Sequence, residues 1–273
     1  MNTQWSGLSN PYHSNREADM IDLFSTEPLI FAGIILILAF LGYGALRQKA
    51  ERDAVANDTT GTARLKVYRH TQIMLWSLAG LCTLGWLASG RSFTQLGFRS
   101  EPTLQFWIMW GLALVVLAYF VWQIVALATS RKARIEFREQ IAKAGSVDVV
   151  LPHTKREHQS FQWLSLTAGI TEEIIFRGFL IGALSIWLPL WVAAIAATTI
   201  FVLAHAYQGL PGMVRILPIS AVLAAVFVVS GSLWPVILLH IVGDMAAGRM
   251  CAIAQHHEDA DQNAVEQAQT SPA

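Results

Sequence analysis

Long apolar runs separated by short charged connections make up the pattern of this chain. Pro28 to Leu46, Gln72 to Gly90 and Leu104 to Thr129 are each long enough to cross a bilayer as a helix, which takes about 20 mostly apolar residues. From Gln162 the chain stays apolar almost to Arg249. Helix breakers divide that stretch at Leu188-Pro189, at Gln208-Gly209-Leu210-Pro211-Gly212 and at Ser230-Gly231-Ser232. Seven spans are predicted, over 28–46, 72–90, 104–129, 162–183, 187–206, 212–230 and 232–248. The fold class is therefore all-α, a polytopic transmembrane helix bundle of about seven spans. Segment 131–146 admits two readings: an eighth, interfacial helix, since Ala133, Phe137 and Ile141 share a helical face among basic residues, or a solvated loop.

Composition agrees with a bilayer as solvent. The 273 residues are 54% hydrophobic and 14% charged, where soluble domains carry about a quarter charged residues. Formal net charge is zero, so the basic face that a nucleic-acid partner needs is missing; membrane lipids are the expected surroundings. Cys82 and Cys251 are far apart in sequence and read as free thiols. The residues before the first span (Arg16, Glu17, Asp19, Asp22, Glu27) are mostly acidic, unlike the basic start of a signal peptide.

Lysine and arginine set the expected topology. Arg47, Lys49, Arg52, Arg64, Lys66 and Arg69 follow the first span, and Arg131, Lys132, Arg134, Arg138, Lys143, Lys155 and Arg156 follow the third. Only Arg91 and Arg99 lie between the second and third. The positive-inside rule then predicts an outside N-terminus, a cytoplasmic C-terminus and, for a bacterial chain, the plasma membrane. Four regions follow: an extracytoplasmic leader over 1–27, a three-span region over 28–156 with basic cytoplasmic loops, a core over 157–248, and a polar tail without regular structure over 249–273.

The core carries charge where a membrane makes it costly. Glu172, Glu173, Arg177 and Asp244 fall within predicted spans, with His205 and His240. One charged side chain at mid-bilayer costs about 2.5–3.5 kcal/mol even on the lenient insertion scale, so these residues are expected to meet one another. Glu173 and Arg177 are four apart with the acid first, the favourable order for an intrahelical ion pair and a supporting role. Glu172 points about 100° away round the helix, outside that pair, and is the candidate general base. Phe201 lies one turn before His205 and can wall the site beside it. His240 and Asp244 share a face at a spacing of four, and Gly243 between them is expected to let another backbone approach.

These three elements, in this order, resemble the signature motifs of the CAAX-protease and bacteriocin-processing family, also called CPBP or Abi. They are Glu172-Glu173-x-x-x-Arg177, Phe201-x-x-x-His205 and His240-x-x-x-Asp244, flanked by Ala168-Gly169-Ile170, Arg177-Gly178-Phe179-Leu180 and His205-Ala206-Tyr207-Gln208-Gly209. The resemblance covers about residues 157–248 and implies an intramembrane endopeptidase, related to the eukaryotic CAAX prenyl endopeptidase, that cuts a membrane-anchored or lipidated peptide. It implies that Glu172 activates a water with His205 helping to orient it, that His240 and Asp244 stabilise the oxyanion, and that Glu173 and Arg177 support the site. The family's third motif ends in Asn or Asp. An ionised Asp only accepts hydrogen bonds, so Asp244 is either protonated or acts by fixing the tautomer of His240, and the second reading is favoured.

No cofactor is expected. The rival within the same chemistry is zinc held by His205, His240 and Glu172, which is not favoured because the histidines come from separate helices and no His-Glu-x-x-His run exists. Outside it stand a transporter using the same polar residues, for which no repeat pairing is found, and a non-catalytic immunity protein.

Overall fold

The structure is a computed structural model that describes the backbone of residues 27–58, 60–142 and 151–270. The leader up to residue 26 and the last three residues of the tail lie outside the described residues. Among the described residues the chain is helical throughout, without strands. In order come α1 (Pro28–Ala56), α2 (Ala63–Ala88), the single turn α3 (Phe93–Leu96), α4 (Leu104–Thr129) and α5 (Arg131–Ala142). Then α6 starts as Lys155–Glu172 and runs on through a π-helical stretch, Glu173–Ile181, and a final α turn, Gly182–Leu184. After it follow α7 (Leu190–Ala204), a 3-10 turn (Ala206–Gln208), α8 (Gly209–Ser230) and α9 (Leu233–Thr270).

Five stretches in these helices are long and apolar enough to cross a membrane: Pro28–Ala56, Ala63–Ala88, Leu104–Thr129, Ala206–Ser230 and Leu233–Gln255. Large apolar side chains such as Leu114, Val115, Trp122, Ile195 and Leu210 point outward, which suits hydrocarbon and not water. The remaining two predicted spans take other forms. Residues 162–183 lie inside α6, and 187–206 becomes α7, whose 15 residues rise only about 22 Å against a hydrocarbon core of about 30 Å. A helix that short does not span the hydrocarbon core by itself, and His205 caps its end.

Several expected boundaries move. α1 was expected to end at residue 46 with its apolar run, yet the helix continues to Ala56. The extension is charged and supported by Arg47 and Glu51, 3.2 Å apart at a spacing of four. Segment 131–146 resolves to helix over Arg131–Ala142, tied back by Arg138, which donates to the Ala254 carbonyl at 2.6 Å. The tail from 249, expected to lack regular structure, continues α9 as far as Thr270. Few of its residues break a helix, so polarity alone was a poor guide to order.

α6 is the axis of the bundle, packed by α2, α7 and α9. Its entry is fixed by a capping box. Thr154 Oγ1 accepts from the Glu157 N–H at 3.2 Å, and Glu157 Oε2 accepts from the N–H groups of His153 and Thr154 at 2.8 and 2.9 Å. Arg64 of α2 donates to Glu157 Oε1 at 3.0 Å, so the same carboxylate joins the N-terminal region to the core. Burial by itself would raise the Glu157 carboxyl, but these two N–H groups and the guanidinium outweigh it and hold it below its ordinary value. Further along, α6 and α9 touch at Gly169, where a Cβ would stand 2.9 Å from the Ile241 backbone nitrogen. The close approach expected at Gly243 is thus made at Gly169 instead. A Cβ on Gly243 would meet only Phe120, at 3.9 Å. The backbone contact sits next to His240 and sets how near that residue comes to α6.

Candidate active site

The glutamates lie where α6 changes from α to π geometry, a change common at functional sites. Glu173 is fully buried. Its Oε1 accepts from Arg177 Nη1 at 2.9 Å and meets His240 Nδ1 at 2.6 Å. Arg177 is also buried. Its Nη2 donates to the Ser220 hydroxyl at 2.8 Å and the Ser220 carbonyl at 3.2 Å, and its guanidinium lies 4.4 Å from the centre of the Phe201 ring. The two residues thus tie α6, α8, α9 and, through Phe201, α7 into one polar knot.

The carboxylate on Nδ1 decides which His240 nitrogen turns toward Glu172. Nδ1–H donates to Glu173, leaving Nε2 turned toward Glu172 Oε2 at 3.9 Å and Asp244 Oδ2 at 3.7 Å. Both distances exceed a direct hydrogen bond and fit one intervening water. This corrects the expectation that Asp244 fixes the tautomer of His240. A spacing of four puts Asp244 on the same helical face, beside the ring, but the in-plane approach to Nδ1 is taken by Glu173 from the facing helix. Asp244 is also the most open member of the group, with 43% of its side chain exposed against 14% for Glu172 and 10% for His240.

His205 is oriented from its own helix. Its Nδ1 lies 2.9 Å from the Phe201 carbonyl, which can only accept, so Nδ1 carries the proton and Nε2 keeps its lone pair. Phe201 packs its ring 4.5 Å from the imidazole and 6.3 Å from that of His240, and Phe176 meets Phe201 edge-on at 5.0 Å. Phe201 therefore walls both histidines.

A cavity of about 230 Å³ is lined by Glu172, Phe176, His205 and Tyr207 on one side. Its other side comes from α1 and α2, including Phe40, Tyr43, Arg47 and Arg52 of α1 and His70 and Met74 of α2. Sequence reasoning named neither Ser220 nor this second wall. Ser220 is one hydroxyl in an apolar helix. Arg47 and Arg52 carried a topological signal, which gave no hint that the helix under them would continue and bring them over the cavity.

Residues 159–246 match the family model of type II CAAX prenyl endopeptidase Rce1-like proteins, a protease family. Over that stretch, about a third of its length, the chain is similar to the CAAX-protease family. The match runs from the first turns of α6 into α9 and takes in all three motifs. No curated protein and no solved structure matches the chain. The family match and the apolar helices together make this an integral membrane protein. Among the described residues, no group of three or more His, Cys, Asp or Glu side chains is placed to hold a metal ion.

Proposed function

We propose that the protein is an intramembrane endopeptidase in which Glu172 activates a water to hydrolyse a peptide bond of a membrane-anchored or lipidated substrate. The observation that carries the reading is that Glu172 and His205 line one cavity while Glu172 also faces the free nitrogen of His240. A water in the cavity donates one proton to the Glu172 carboxylate and the other to His205 Nε2, the acceptor left by the Phe201 bond. As its oxygen adds to the peptide carbonyl carbon, the first proton passes fully to Glu172. The carbonyl π pair becomes an oxyanion, met by Nε2–H of His240 in its imidazolium form, whose charge the Glu173 carboxylate on Nδ1 balances. Glu172 then returns the proton to the amide nitrogen, the C–N bond breaks, and an acid and an amine leave. Glu173 and Arg177 hold His240 in register from behind. Asp244 takes a bridging water on the open side of Nε2, in place of the tautomer-fixing role.

The cavity's α1 wall ends in the basic residues that the positive-inside rule assigns to the cytoplasm. On that orientation substrates enter from the cytoplasmic leaflet of the plasma membrane, with the N-terminus outside and the C-terminus inside. Comparison of membrane proteomes from cells carrying wild-type or Glu172→Gln protein tests the function. Uncut precursors should accumulate with the variant, and identical proteomes would sink the reading. Phenanthroline addresses the zinc rival: cleavage that disappears with the chelator and returns with zinc would replace the glutamate-water mechanism.

A further inference from the structure

The cavity wall from α1 and α2 lies outside the family match, and nothing in the hydrolytic steps uses it. Phe40, Leu41, Met74 and Leu75 give it an apolar lining, and Arg47 and Arg52 stand at the end where α1 outruns its apolar stretch. Arg47 is already engaged: Glu51 is 3.2 Å from Nε, and Nη1 donates to the Tyr43 hydroxyl at 2.7 Å and to His70 Nε2 at 3.2 Å. Arg52 is exposed and, among the described residues, has no carboxylate at ion-pair distance. Its Nη2 donates instead to the main-chain carbonyl of Tyr207 at 3.2 Å, across the cavity mouth. Tyr207 follows His205 by two residues, so that carbonyl lies within about 8 Å of the histidine along the backbone.

A guanidinium offers five donors and binds a carboxylate in a paired geometry far more strongly than it binds one neutral carbonyl. With Glu51 committed to Arg47, Arg52 is a cavity-lining cation without a carboxylate at ion-pair distance among the described residues. We propose that Arg52 is a specificity-determining residue that binds a carboxylate on the substrate peptide, a few residues from the bond that is cut, while the apolar wall of α1 and α2 receives a neighbouring side chain. The proposal deepens the endopeptidase reading and rests on it. It explains why an arginine reaches over the cavity toward the His205 turn without an acid of its own.

The test uses the full chain in nanodiscs of neutral lipid and membrane-anchored peptides in which one residue, two to four positions from the cut, is Glu or Gln. Wild type should favour the Glu peptide at one of these positions by about tenfold in kcat/KM, chiefly through KM, as one charge-assisted contact allows. Arg52→Gln should bring that ratio close to one, and Arg52→Lys should keep most of it. The ratio is internal to each protein, so a general loss of folding does not mimic the result. An unchanged ratio in Arg52→Gln, or no preference in wild type at any position, overturns the proposal. So does a preference that vanishes when phosphatidylglycerol is added, because Arg52 would then serve a lipid headgroup. Fluorescence anisotropy with the same peptides, comparing Glu172→Gln with the Glu172→Gln, Arg52→Gln double variant, reads the preference without cleavage. A charge preference in binding, beside a wild type that cuts nothing, would sink the endopeptidase reading and leave the Arg52 anchor standing.

Discussion

His240 of α9 and Glu173 of α6 meet at 2.6 Å between Nδ1 and Oε1, and Arg177 donates to that same oxygen at 2.9 Å. One buried carboxylate therefore neutralises an arginine and orients a histidine from another helix. An amide in its place still accepts from Nδ1–H but balances the charge of neither Arg177 nor a protonated His240. Glu173→Gln should lower cleavage by about 10- to 100-fold, the scale known for carboxylates that orient metal-bound histidines. It should also destabilise the bundle by about 3–5 kcal/mol, because Arg177 is left buried without its counter-charge. Peptide cleavage and thermal unfolding in detergent check the two effects. Loss of activity at unchanged stability would show that the arginine does not depend on this carboxylate.

Asp244 stands 3.7 Å from His240 Nε2, beyond direct bonding, and is nearly half exposed. Asp244→Asn should keep cleavage within about tenfold of wild type, since an amide oxygen still accepts from a bridging water. A loss comparable to that of Glu172→Gln, measured on the same peptide, would mean that the charge of Asp244 takes part in the chemistry.

Gly169 lets α6 and α9 approach until a Cβ would lie 2.9 Å from the Ile241 nitrogen. Because the obstacle is backbone, Gly169→Ala must push the helices apart next to His240. A stability loss of about 1–3 kcal/mol is expected, with a fall in cleavage as the Glu173–His240 contact lengthens. Thermal unfolding and cleavage rates measured together decide this; wild-type values for both would place the close approach elsewhere.

Glu157 makes a pH prediction. Its folded-state value is held below the ordinary carboxylate range by His153, Thr154 and Arg64 against the opposing effect of burial. A depressed carboxyl contributes stability above its unfolded value and loses it as pH falls through the folded one. Unfolding temperature should therefore drop on acidification from neutral pH through the carboxylate range, and Glu157→Gln should flatten that limb while lowering the neutral-pH value. An acid limb as steep in the variant would assign it to other groups.

Hydropathy told most of the helical layout, because a bilayer leaves apolar length and helix breakers as the main variables. The breaks at Pro189, Gly209 and Gly231 fall where helices end or begin. The site's members were equally visible as charges in apolar surroundings, and the spacing of Glu173 and Arg177 foretold their contact. What sequence left hidden depends on contacts between helices. The partner of His240 Nδ1 comes from α6, and no periodicity along α9 can name it. Ser220 is an unremarkable hydroxyl until Arg177 reaches it. The π stretch at Glu173–Ile181 has no simple residue signature, and the continuation of α1 past Leu46 lies beyond what an apolar run marks.

The claim that Glu172 activates the hydrolytic water is tested most directly by the full chain in nanodiscs acting on a membrane-anchored peptide, with cleavage products identified by mass. Wild type should cut at a defined bond. Glu172→Gln, which keeps the side-chain shape and loses the base, should bind the peptide but cut it at least about 100-fold more slowly. Equal cleavage by the two proteins would contradict the account at its centre.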